Sequence, residues 1–193
     1  MKQKSLSQSI LWVALITALL LCIPLVAMLF TDEVNWSVVD FIIMGILIFS
    51  TGFSYVLLTR LSSNIIHRAA VALAIGSTFL LIWVNLAVGL IGSGPNAANL
   101  MYIGIVAIVI IGTFLSRLTM KRMERVMFTA AIALVLFAVI QLLAKMYEYS
   151  GSSVGEIIGV NAFFATLFAV AGLLFRYKAL KDLPTHTNKM VQQ

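Results

Sequence analysis

The sequence predicts an all-α membrane protein: a six-transmembrane-helix bundle of three antiparallel hairpins, with the N and C termini both cytoplasmic. Three observations lead there. Six long apolar runs occupy most of the 193 residues, and each is near the roughly 17–25 residues that a helix needs to cross about 30 Å of hydrocarbon. Charged residues are 10% of the chain, where ordinary globular chains carry roughly 25%. Those few charges fall almost entirely in the gaps between runs, and their sign alternates from gap to gap. With 62% hydrophobic residues and a mean hydropathy of +1.07, no water-soluble core could hide the apolar surface. A single integral-membrane domain over residues 1–193 is expected, with no separate soluble domain.

The first span, about 10–30, follows Lys2 and Lys4. It is longer than the roughly 7–15 residues of a signal-peptide core and has no A-x-A-like cleavage site, so it reads as a retained span. The lone cysteine, Cys22, lies within it; no internal disulfide or redox pair can form, and a small packing residue is expected. The second span, about 36–58, starts at Trp36, which with Trp12 reads as belt residues at opposite interfaces. The third, about 66–91, carries Trp83, expected between helices, and Asn85. The fourth, about 100–115, follows Asn99, which is placed to cap it. The fifth, about 126–146, follows the basic stretch Arg117–Arg125, and the sixth, about 157–175, leads into a cytoplasmic tail at 176–193. The connections are short, which makes sequential spans antiparallel neighbours.

The charges orient the spans. One side carries Lys2, Lys4, Arg60, Arg68, Arg117, Lys121, Arg122, Arg125, Arg176, Lys178, Lys181 and Lys189, joined by Glu124 and Asp182, for +10. The other carries Asp32, Glu33, Asp40, Glu148 and Glu156 against Lys145, for −4. Excess Lys and Arg in short loops marks the cytoplasmic face. The net +6 is therefore a topology signal with anionic-lipid contacts, and no nucleic-acid partner is expected. A shift of 57 residues lays Arg60-Leu61 on Arg117-Leu118, Arg68 on Arg125 and Ser93-Gly94 on Ser150-Gly151. This is either a faint duplication or the common demand of any hairpin for basic and turn residues at its ends.

Several chemistries are excluded by residue type. His67 and His186 lie at or beyond the basic boundary, so no histidine pair can hold haem inside the bilayer. No His, Cys or carboxylate cluster has metal-ligand spacing, no lysine is mid-span, and no ionisable residue lies near the centre of any span. Such residues usually mark ion pathways. No cofactor and no metal are expected.

What remains is a polar layer near the outer leaflet. Asn85, Gln141 and Asn161 fall at similar depths in the third, fifth and sixth spans, and Asn96, Asn99, Tyr102, Tyr147, Tyr149, Asp40 and Glu156 lie above them. Turned inward, these groups would line an acidic vestibule. The candidate ligand-binding residues are Asn85, Asn96, Asn99, Tyr102, Gln141, Asn161 and Glu156. The same residue types also serve as interhelical glue and interfacial anchors, and both readings stay open. Gly45, Gly52, Gly104, Gly112, Ala162, Ala165, Ala169 and Gly172 predict close helix approach in the even-numbered spans, either as inner helices or as the contact face of an oligomer.

The segment Trp83-Val-Asn-Leu-Ala-Val-Gly-Leu-Ile-Gly-Ser-Gly-Pro-Asn-Ala-Ala-Asn-Leu-Met-Tyr102 is the most distinctive. It resembles the W-[IV]-N-L-A-V-G-[IL]-I-G-S … N-x-A-N-L-M-Y pattern of an uncharacterised family of small bacterial inner-membrane proteins. The match is carried by Trp83, Asn85, Leu86, Gly89, Gly92, Ser93, Asn96, Ala98, Asn99, Leu100, Met101 and Tyr102. Gly94 and Pro95 stand where that pattern has acidic residues. The resemblance implies a multi-pass protein of the bacterial cytoplasmic (inner) membrane and implies no activity.

Three function classes follow. A non-enzymatic accessory, assembly or sensing subunit fits the tiny loops and missing catalytic groups, with a homo-oligomer or another membrane protein as partner. A channel or facilitator for a small solute would use the Asn85, Gln141 and Asn161 layer. An intramembrane enzyme would need a nucleophile–base pair or a metal at one depth, which the sequence lacks.

Overall fold

The computed structural model describes residues 5–60, 62–92 and 96–182. The turn residues Ser93, Gly94 and Pro95, the leading Lys2 and Lys4, and the tail from residue 183 lie outside the described residues. Six α-helices and no strands are found among the described residues: α1 (Leu6–Phe30), α2 (Val38–Thr59), α3 (Ile65–Ala87), α4 (Ile103–Ser116), α5 (Met120–Leu143) and α6 (Val154–Lys181). A 3₁₀ turn, Ala97–Tyr102, leads into α4, and the pair covers Ala97–Ser116 as one apolar segment. All six segments are long and apolar enough to cross a membrane. The protein is a multi-pass membrane protein.

Caps set where these helices start, and hydropathy does not always agree. Ser5 and Gln8 form a capping box at α1, and Ser37 and Asp40 form another at α2. Asn64 Oδ1 accepts from the Ile66 and His67 amides to begin α3. Ser153 Oγ accepts from the Glu156 amide to begin α6. α5 begins at Met120 and takes in the basic residues up to Arg125, because a helix continues through charged side chains at a membrane surface. For the same reason α6 runs past Phe175 to Lys181. α3 stops at Ala87, short of the apolar run's end, and the chain turns at Gly89 (φ +76°) and Gly92 (φ +71°).

The described residues form two compact units, divided after Ser63. In the first, α1 packs on α2. Val13, Thr17 and Leu21 recur every four residues along one face of α1. The glycines of α2 admit them: a Cβ on Gly52 would lie 2.8 Å from Val13 Cγ1, and one on Gly45 would lie 3.3 Å from Leu21 Cδ1. Arg60 Nη2 donates to Ser9 Oγ at 3.0 Å near the hairpin's open end. Pro24 interrupts the amide ladder within α1, as membrane helices tolerate. Thr17 is the one buried residue among the described residues of this unit, and its Oγ1 has no hydrogen-bond partner.

The second unit is a four-helix arrangement in the spatial order α3, α6, α5, α4. The third and fourth spans, expected as a hairpin, touch each other little along their length. α3 packs against α6 and meets α4 only slightly, while α4 packs against α5. α3 ends at Ala87 and the fourth apolar segment begins at Ala97, a longer connection than one that forces two helices to lie side by side. The α5–α6 pair is the most extensive contact. Met123, Met127, Ala130, Ala131 and Leu134 of α5 and Phe164, Ala165, Phe168, Ala171, Gly172 and Phe175 of α6 are all buried. Large rings opposite small residues let the two backbones close. A Cβ on Gly172 would lie 3.3 Å from the Phe128 ring, and one on Gly112 of α4 would lie 2.7 Å from Val126 Cγ1. The even-numbered spans are not a common inner set: α2 has no buried residue, while α3, α5 and α6 carry most of the core. Trp83, expected between helices, is 40% exposed and stacks on Phe79.

Gly112→Ala should cost about 1–3 kcal/mol through overpacking against a rigid β-branched side chain. Gly112→Ala combined with Val126→Ala should recover most of that loss, read by SDS titration of the purified protein. Thr17→Val, which removes a buried hydroxyl without changing shape, should leave stability unchanged or raise it by about 1 kcal/mol. A clear loss in the same titration would show that the hydroxyl is bonded.

Candidate functional site

The buried amides of the second unit gather at the end of the bundle where α3 and α5 finish and α4 and α6 begin. Three of them close a ring. Tyr102 Oη donates to Asn161 Oδ1 at 3.4 Å, Asn161 Nδ2 donates to Gln141 Oε1 at 2.9 Å, and Gln141 Nε2 donates to Tyr102 Oη at 3.1 Å. The remaining amide hydrogens are also used: Asn161 Nδ2 reaches Ile157 O at 2.8 Å, and Gln141 Nε2 reaches Met101 Sδ at 3.3 Å. All three side chains are at most 1% exposed. Each belongs to a different element, so the ring ties the start of α4 to α5 and α6. The Phe137 ring packs edge-on against Tyr102 beside it.

A second cluster folds the connection between α3 and α4. Asn99 Oδ1 accepts from the Leu90 and Ile91 amides, both at 2.8 Å, and Asn99 Nδ2 donates to Ile91 O at 3.2 Å. The expectation that Asn99 caps the fourth span is therefore corrected. It lies within the 3₁₀ turn, and its side chain is turned back onto the preceding glycine-flanked turn, where unpaired backbone groups would otherwise be buried. The cap is supplied by Asn96, whose Oδ1 accepts from the Ala98 amide at 3.0 Å. Asn85 Nδ2 donates to Asn99 O at 3.2 Å, and Asn85 Oδ1 is buried with no partner. The Gly92 amide donates to Ser152 Oγ at 2.7 Å, fixing this turn to the residues before α6.

The residues named from sequence thus separate into three groups. Tyr102, Gln141 and Asn161 are brought together. Asn85, Asn96 and Asn99 form the adjoining turn cluster. Glu156 stands apart, exposed in the first turn of α6, where a carboxylate complements the helix N-terminus. Sequence reasoning missed Ser152 and Met101. Ser152 sits in a Ser-Gly-Ser-Ser stretch that signals a turn but not its partner, and a thioether as an amide's acceptor leaves no pattern in sequence.

The ring can hold helices, and its chemistry goes little further. Every donor and acceptor in it already has a partner, so a ligand would have to break bonds to enter. No base or metal ligand adjoins the Tyr102 hydroxyl in the ring, and no group of three or more His, Cys, Asp or Glu able to hold a metal occurs among the described residues.

Gln141→Leu should cost about 1–3 kcal/mol, because Asn161 and Tyr102 lose partners inside the bundle. Tyr102→Phe should cost less, about 0.5–1.5 kcal/mol, since Gln141 keeps its bond to Asn161. In a double-mutant cycle, Gln141→Leu with Asn161→Leu should be well short of additive, whereas Glu156→Gln should change stability by less than about 0.5 kcal/mol. No family model, curated protein or solved structure matches this chain, and its own residues carry the case for function.

Proposed function

We propose that the chain is a non-enzymatic multi-pass protein of the bacterial cytoplasmic membrane, acting as an accessory, assembly or sensing subunit with both termini in the cytoplasm. The observation that carries this reading is the closed Tyr102–Gln141–Asn161 ring. It consumes the polar groups that a solute would need at that depth and turns them into a clamp on three elements. A clamped four-helix unit suits a protein whose work is to present surfaces. Those surfaces are the acidic end with Glu156 and the Gly92 turn, the apolar faces of α1 and α2, and the basic end that meets anionic lipid. The partner is a second copy or another membrane protein. The resemblance of the Trp83–Tyr102 segment to small bacterial inner-membrane proteins supports the location.

The second reading, a facilitator for a small solute, draws on one observation: Asn85 Oδ1 is a buried acceptor with no partner. Reconstitution in liposomes separates the two. The subunit reading expects no flux of ions or small neutral solutes above empty liposomes, and a discrete partner or oligomer after crosslinking in intact membranes. Flux that Asn85→Leu abolishes would replace it with the facilitator reading.

A further inference from the structure

Along the α5–α6 seam runs a shallow groove of about 420 Å³, lined by Phe128, Ile132, Val135 and Leu136 of α5 and by Thr166 and Ala169 of α6, together with the buried Ala131 and Ala165. We propose that this groove binds one acyl chain of an anionic phospholipid whose headgroup rests on Lys121 and Arg125. Two features choose that occupant. The first is length. From Phe128 to Leu136 the helix rises about 12 Å, close to the roughly 15 Å of hydrocarbon that one leaflet contributes. The second is charge. Lys121, Arg125, Phe128, Ile132 and Val135 follow one another at spacings of four, three, four and three, which is one face of a helix. The groove's face thus continues directly into two exposed cations. On α6, Thr166, Ala169, Leu173 and Arg176 follow the same rule, and Arg176 Nε lies 3.9 Å from Glu124 Oε1. That ion pair bridges the two helices and engages Glu124, the carboxylate of α5's basic first turns. Lys121 and Arg125 are left for a phosphate.

The proposal deepens the reading that the basic end meets anionic lipid, and it can fail separately. In nanodiscs phosphatidylglycerol is present in both leaflets, so the outcome does not depend on which way the chain is inserted. The full chain is reconstituted with equal phosphatidylglycerol and phosphatidylcholine, and retained lipid is counted by native mass spectrometry. One phosphatidylglycerol should be held about tenfold more strongly than phosphatidylcholine. Lys121→Gln with Arg125→Gln should remove that preference. Arg68→Gln with Arg122→Gln, an equal loss of charge off the groove's face, should keep it. Thr166→Trp, at an exposed position, should expel the chain while the basic pair stays intact. Equal retention of the two lipids, or equal loss in both charge pairs, would overturn the proposal. So would a disulfide from Ile132→Cys to Cys22, which would put α1 in the groove, or a dimer linked through position 132, which would put a second copy there.

Discussion

The fold of the second unit depends on one constraint: in hydrocarbon, a polar group left without a partner within the protein is costly. Water can satisfy a stray amide at a soluble protein's surface, and lipid cannot. Tyr102, Gln141 and Asn161 meet this constraint by closing on each other, so that three side chains use one another's donors and acceptors in sequence. Such a ring is geometrically demanding. Each side chain has to come from a separate element at the same depth, which fixes the axial register of α4, α5 and α6 together. Apolar packing alone would resist a one-turn slide of these helices only weakly, since Leu, Ile and Val along them are interchangeable in lipid.

Packing then works within the register the ring sets. Glycines are placed where a neighbour's branched or aromatic side chain arrives: Gly112 under Val126 and Gly172 under Phe128. In lipid, close approach supplies the dispersion contacts that water-driven burial supplies elsewhere. The α5–α6 pair, the most extensive in the unit, buries phenylalanines on α6 and alanines and methionines on α5. At the basic end His67 is buried against the Phe175 ring, with its Nδ1 3.3 Å from Met120 Sδ, so the same seam draws α3 to α6.

The six apolar helices were legible from the sequence because run length and charge placement are one-dimensional properties. The faces were not. Where nearly every residue is apolar, helical periodicity carries little signal, and Leu81 at the core looks the same as Leu86 facing out. The amides were legible as candidates because polar residues stand out against an apolar background, and Gln141 and Asn161 were correctly placed at one depth. Their pairing with Tyr102 needed the order of helices in space, which turns on the α3–α4 connection. Hydropathy reads Val88–Ile91 as span and Ala97–Asn99 as loop. The glycine turn and the 3₁₀ segment divide the chain differently, and Asn99 becomes a turn organiser instead of a cap.

An asymmetry between the two ends of the second unit follows. At the acidic end, folding uses the polar side chains: the ring is closed, Asn99 is occupied by three backbone groups, and Asn96 caps its turn. At the basic end, the ion pairs among the described residues are Arg176 with Glu124 and Lys178 with Asp182, and the cations outnumber these two carboxylates. Interaction energy spent on holding a fold is not free to bind a ligand. Two groups that are not consumed internally, Lys121 and Arg125, stand where an apolar groove opens beside them. The sequence draws attention to the acidic end because amides and tyrosines are rare enough to notice. The structure accounts for most of those residues by the fold itself, and it leaves the uncommitted binding chemistry at the other end.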